Sequence, residues 1–295
     1  MNDIIPSYRQ STLIGWQDLY SDLSFDYKLQ ILIHGVGFEL HVTSKELYQK
    51  LTDYFPKRWQ IASKNPIHVY WRKPEEHLLA GKQWEDMVDP NCFFQDHFIC
   101  QRDFMAYKID PFQFQLMAKE LVDDGLFNFL RYLLPIHLLN QNRILFHSSC
   151  VVDDNQQAYL FFGPSGAGKT TIASLCQGGV ILGDDMNILS LQDGKVYVEG
   201  AALGQRFFHK GSFGTSFPVN KMFWLTQSHE FDSSKISEGK LGFILSSFAN
   251  LFWNQLNQEN YNKVFQFAHK LSQISNLQEL KFKKSNEVWD YVRKL

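Results

Sequence analysis

Residues 163–170 read GPSGAGKT and satisfy G-x-x-x-x-G-K-[ST] at every fixed position. Gly163, Gly166 and Gly168 let the backbone curl until successive N–H groups converge on one anion. Pro164, Ser165 and Ala167 fill the variable positions of that cradle. A helix-compatible segment begins at Lys169 and runs on through Thr171, and its positive N-terminal end adds to the attraction. Lys169 has the reach to neutralise β- and γ-phosphates, and the Thr170 hydroxyl suits a divalent ion. The apolar run 159–162 before the loop completes the strand–loop–helix context. This pattern predicts binding of ATP together with Mg2+.

Asp184 and Asp185 follow at the end of a short apolar strand, and only one helix separates them from Lys169. Carboxylates at the carboxyl end of a strand lie where an α/β sheet binds its ligands. One can hold Mg2+ while the other accepts the proton of an attacking hydroxyl. Adjacent side chains on a regular strand face opposite ways, so the pair requires a turn, which Gly183 favours. A plain polar turn is the alternative. Farther on, Arg206, Lys210 and Lys221 could stabilise charge on a transferring phosphoryl group, or simply be solvated. The Gly-, Ser- and Phe-rich stretch 200–216 reads either as a mobile lid or as an ordinary loop.

These residues need elements to position them. RILFHSSCVV, the turn DDNQ and AYLFFG predict a hairpin whose second strand feeds the loop. His147 sits in its first strand, where by itself it reads as a core histidine. Helices are expected over 112–122, opened by Asp110-Pro111, and over 126–139. Further helices are expected over 237–248, capped by Ser237, over 258–271, and at the C-terminus from Ser285 or Asn286. Strands are expected at 222–225 and 277–282. The first hundred residues predict strands on either side of a turn at 35–37 and a helix over 43–54. That helix would be capped by Thr43, with Glu46 completing a capping box. A strand at 67–71 follows. The expected division is therefore a small α+β module over 1–109 and a nucleotide-binding domain over 110–295, mixed α/β in class.

Composition narrows the partners. With 44% hydrophobic residues and 26 Phe among 295, the chain is expected to fold around a sizeable core. A formal net charge of −2 gives no electrostatic case for nucleic acid or an anionic membrane. The most apolar stretch, 126–139, is interrupted by Asn128, Arg131, Pro135 and His137 and is too short to span a bilayer. The N-terminus carries no signal-peptide pattern, so a cytoplasmic protein is expected. Cys92, Cys100, Cys150 and Cys176 have no metal-binding spacing and are expected to be reduced thiols.

LFHSSCVV, LFFGPSGAGKTTIASL and GGVILGDDMNIL together resemble the HPr kinase/phosphorylase catalytic domain, which is related to the ATP-dependent phosphoenolpyruvate carboxykinases. FPVNKMFWLTQS and LQELKF…VWDYV are similar to segments of small HPr-kinase-like proteins. The E-x-R-G-x-G segment of HPr kinases is matched here only by Glu199-Gly200 and Gly204. The resemblance implies that Asp184 or Asp185 is the catalytic base, with the other near Mg2+, and that His147 lies close to the phosphates. It implies a kinase acting on a hydroxyl, such as a serine of a peptide or protein, or a small molecule. The other reading is a nucleotide-binding regulatory or docking protein without phosphoryl transfer. Carboxykinase chemistry would need further metal ligands and carboxylate-binding arginines that the sequence does not display.

Overall fold

The computed structural model describes residues 15–73, 93–101, 104–118, 125–176, 178–201, 214–249, 251 and 253–295. It is a mixed α/β structure of two compact units, Met1–Leu130 and Arg131–Leu295.

In the first unit a seven-stranded mixed sheet has the order β1-β2-β3-β7-β6-β5-β4. Strands β1 (Tyr27–Ile33) and β2 (Val36–Val42) form a hairpin. Its two turn residues, His34 and Gly35, have φ of 51° and 77°, the left-handed pair that a type I′ turn demands. Helix α1 (Lys45–Tyr54) then buries Leu47 and Leu51. Its N-cap is Ser44, whose hydroxyl accepts from the Leu47 amide at 3.2 Å, so the cap lies one residue beyond the expected Thr43. Strand β3 (Ile67–Arg72) runs parallel to β2. Strands β4 (Phe93–Gln95), β5 (Phe98–Gln101) and β6 (Phe104–Asp110) continue as an antiparallel series.

The helix expected over 112–122 is not formed where the chain is described. Residues Gln113–Ala118 are strand β7, paired with both β6 and β3. Both edges of this run are paired, to β6 on one side and β3 on the other, and the Asp110 carboxylate accepts from the Phe112 amide at 2.7 Å in the turn that precedes it. The first compact unit consequently runs past residue 109 and takes in β7.

The second unit holds helix α2 (Gly125–Asn140) from Arg131 onward and an eight-stranded mixed sheet. Strands β8 (Arg143–Val152) and β9 (Ala158–Phe162) are the expected hairpin. Helix α3 (Lys169–Leu175) follows the loop, and then come β10 (Val180–Gly183), β11 (Met186–Gln192) and β12 (Lys195–Gly200). Strand β13 (Phe217–Gln227) is longer than the expected 222–225 and lies parallel to both β9 and β15 (Leu277–Phe282). The short strand β14 (Asp232–Lys235) pairs with β15 at the edge. Pairing closes a circuit: β8 to β9, β9 to β13, β13 to β12, β12 to β11, and β11 back to β8.

Ile144, Phe146, Leu160, Phe162, Leu189, Val198 and Met222 from that circuit share one buried cluster. Helices α4 (Lys240–Leu245) and α5 (Gln258–Ile274) add Ile244, Val264, Phe267 and Leu271 to it. The α4 cap is Gly239, with no side-chain hydrogen bond, so the expected start at Ser237 is not used. Helix α6 (Val288–Lys294) packs Val288, Trp289 and Val292 beside Ile172 of α3, in a second cluster.

Phe146 is fully buried, edge-on to Phe162 at 5.1 Å and to Phe248 at 6.1 Å. Phe146→Ala is expected to cost about 3–5 kcal/mol through lost burial and the cavity left behind. Chemical denaturation should read this as a lower midpoint with an unchanged slope.

Candidate active site

The loop leaves β9 at Phe162 and turns through Gly163, Gly166 and Gly168, whose φ values are 152°, 79° and 101°. Gly168 has a second constraint. A Cβ there would stand 2.7 Å from Cζ of Phe282, a ring that packs in the cluster behind the loop. The loop's own bonds hold its shape: the Ala167 amide donates to Pro164 O at 3.1 Å, and Gln227 Nε2 donates to Gly166 O at 2.7 Å. Pro164, Ser165 and Gly166 are exposed while Lys169 is buried.

Lys169 Nζ donates to the carbonyls of Gly163 (3.0 Å) and Pro164 (3.1 Å). Burial lowers its pKa below the ordinary lysine range, and the nearby Asp185 carboxylate works against that shift. The Ser149 hydroxyl of β8 donates to Lys169 O at 2.7 Å and fastens the start of α3 to the hairpin. Thr170 Oγ1 lies 3.5 Å from the main-chain oxygen of Asp184, the outer limit of a hydrogen bond.

Strands β10 and β11 lie end to end along one edge of β8, and Asp184 and Asp185 form the bend between them. The pairing slips between Ile181 and Gly183, a bulge just before the bend, and one register with β8 then runs from Gly183 to Met186. The two carboxylates differ sharply in setting. Asp184 is 3% exposed, whereas the Asp185 side chain is 41% exposed. Asp185 Oδ1 is 3.1 Å from His147 Nε2, and Oδ2 is 3.5 Å from an Arg131 guanidinium nitrogen. The hydrogen bond from His147 holds the Asp185 carboxyl below the ordinary carboxylate range. Burial opposes that shift, while the charges of His147, Arg131 and Lys169 reinforce it. The Ser148 amide donates to Asp185 O at 3.1 Å, which sets β8 and the bend in register.

His147, Lys169, Thr170, Asp184 and Asp185 therefore converge, and the loop glycines stand beside them. Arg206, Lys210 and most of the stretch 200–216 lie outside the described residues, as does Cys92. Cys100 and Cys150 are buried free thiols, and Cys176 is a partly exposed one. Lys221, on β13, is partly exposed, and burial lowers its pKa.

Two contributors were not legible as site residues. Arg131 reads in sequence only as an interruption of an apolar helix; a lone cation in such a helix was the available signal. Asn187 is fully buried and donates from Nδ2 to Ser148 O (2.7 Å) and Ser148 Oγ (3.1 Å). Its Oδ1 has no hydrogen-bond partner among the described residues.

The donor set suits a nucleoside triphosphate with a hard divalent ion. It offers a glycine cradle open to solvent, a lysine aimed into that cradle, a threonine hydroxyl at the helix start, and carboxylates nearby.

The family model of phosphoenolpyruvate carboxykinase matches residues 119–201, the stretch containing β8, the loop and the aspartate pair. This stretch is similar to the carboxykinase family, as the resemblance of the sequence implied. Among solved structures, the HPr(Ser) kinase/phosphatase from Coxiella burnetii aligns at 11% identity and a TM-score of 0.29, covering 51% of this chain and 92% of that one. No curated protein sequence matches the chain.

Two outcomes follow from this geometry. Gly168→Ala forces a left-handed alanine against the Phe282 ring and is expected to cost about 1–3 kcal/mol. Phe282→Leu should recover only the steric part in thermal unfolding, because the backbone strain remains. For Asp185, a lowered folded pKa contributes stability above the ordinary aspartate value of about 3.9 and loses it as pH falls through the folded value. Wild type should therefore be more stable than Asp185→Asn near pH 7, and the difference should shrink in denaturation curves as pH falls below the ordinary aspartate value of about 3.9.

Proposed function

We propose that the chain is an ATP- and Mg2+-dependent kinase that transfers the γ-phosphoryl group to a hydroxyl of a peptide, protein or small molecule. The observation that carries this reading is Asp185, a half-exposed carboxylate gripped by His147 and Arg131 and electrostatically coupled to the P-loop lysine.

In this reading the loop amides and Lys169 hold the β- and γ-phosphates. To do so, Lys169 exchanges its bonds to Gly163 O and Pro164 O for phosphate oxygens. Thr170 and a carboxylate of the 184–185 pair would hold Mg2+, which supplies neutralisation of the charge that develops on the phosphates. The acceptor oxygen forms its bond to the γ-phosphorus as the bond to the β–γ bridging oxygen breaks. The hydroxyl proton passes to Asp185, and ADP departs. Asp185 is ionised at neutral pH, as a proton acceptor must be. Its low basicity suffices because a loose transition state demands little proton abstraction until late. His147 and Arg131 act as positioning residues, fixing the carboxylate's direction.

Incubation with γ-labelled ATP and a panel of serine-containing peptides and small alcohols should label an acceptor. Asp185→Asn is expected to lower kcat by about 10²–10⁴ while ATP still binds. Lys169→Ala is expected to lose ATP affinity as well. Transfer that survives Asp185→Asn but not Asp184→Asn would move the base to Asp184. Tight ATP binding with no transfer to any acceptor would favour the regulatory alternative.

A further inference from the structure

A second group of ligand-type side chains lies in the first unit. Glu39 and His41 are two residues apart on β2, so strand alternation puts both on one face of the sheet. The parallel pairing of β2 with β3 sets His68 directly opposite Glu39. Glu39 Oε1 is 2.9 Å from His41 Nε2 and 3.3 Å from His68 Nδ1, and the two ring nitrogens are 3.1 Å apart. Glu39 and His41 are buried, whereas the His68 side chain is 34% exposed, so the triangle opens to solvent on the His68 side. Among the described residues this is the one set of His, Cys, Asp and Glu side chains that brings three ligand atoms together.

Hydrogen bonding alone does not satisfy such a triangle. If both ring nitrogens carry protons, each can serve the carboxylate, but the N···N edge then sets two donors face to face. If only one does, an edge sets two lone pairs against each other. A cation at the centre removes the conflict, because all three lone pairs point at it.

The dimensions suit a small tetrahedral ion. Ligand atoms about 2.0–2.1 Å from zinc stand about 3.3–3.4 Å from one another. The edges here are 2.9, 3.1 and 3.3 Å, so the ligands need to part by only a few tenths of an ångström. Outer partners are already in place. Gln30, opposite Glu39 on β1, donates to the other carboxylate oxygen, Oε2, and leaves Oε1 for the ion. The Tyr70 ring stacks on His41 with centroids 4.4 Å apart and fixes the imidazole plane.

We propose that Glu39, His41 and His68 bind one Zn2+ through Oε1, Nε2 and Nδ1, with the fourth position open to water or a small ligand on the His68 side. Two imidazoles and a carboxylate form a donor set that zinc accepts in three-ligand sites with an open position. This site is separate in sequence and in unit from the P-loop, and it does not depend on the kinase reading.

The full chain, stripped with a chelator, re-exposed to Zn2+ and desalted, is expected to retain one zinc ion per chain by elemental analysis. Lys169→Ala should retain the same amount. Co2+ in place of zinc should give the intense visible absorption of a four-coordinate site. His68→Ala, at the half-exposed corner, is expected to weaken zinc binding by more than about tenfold in competition with a chromophoric chelator, and Gln30→Ala by about tenfold. Circular dichroism of each metal-free variant checks that its fold is intact. The proposal is overturned if folded wild type keeps no zinc, or if His68→Ala and Gln30→Ala both bind it as wild type does.

Discussion

Strand β8 is hydrogen-bonded along both edges, and the phosphate site depends on that double pairing. On one side Ser148 lies opposite Phe162, the last strand residue before the loop. On the other side the Ser148 amide holds the main chain of Asp185. One residue thus fixes where the loop begins and where the carboxylate emerges. Adjacent strands lie about 4.8 Å apart, so the main chains of Phe162 and Asp185 are about 10 Å apart across β8.

The rest of the second unit keeps β8 from shifting. The circuit of strands encloses Phe146 and Phe162, whose rings meet edge to face, and α4 and α5 close over the cluster. A strand clamped by such a core has little freedom to slide, because a one-residue slip would turn its whole apolar set outward. Precision at the site is therefore inherited from packing well away from it. Ser149 extends the same restraint to α3 through its bond to Lys169 O.

Sequence made some of this plain. The P-loop is legible because its demands are local: glycine where φ must be positive, lysine and threonine at fixed offsets. The β8–β9 hairpin and the aspartate pair were legible for similar reasons. Residues 112–118 were misread because an Asp-Pro followed by QFQLMA equally suits a helix start, and the pairing of that run with β3 is made by a distant part of the chain. Arg131 was hidden because its partner is far along the chain, and the Glu39, His41 and His68 triangle because parallel pairing brings the third corner from another strand. The different fates of Asp184 and Asp185 were equally invisible, since both occupy the same bend.

The bulge between Ile181 and Gly183 carries a consequence of its own. A strand alternates its side chains with a strict period, and an extra residue resets the phase of everything after it. The chain from Val180 to Gln192 is therefore two half-waves joined out of step along β8, and both aspartates follow the join, in the phase of β11. Asp184 and Asp185 consequently take successive positions of one register, one enclosed and the other meeting solvent. The chemistry of this site is thus written in the parity of the backbone as well as in the identity of its acids.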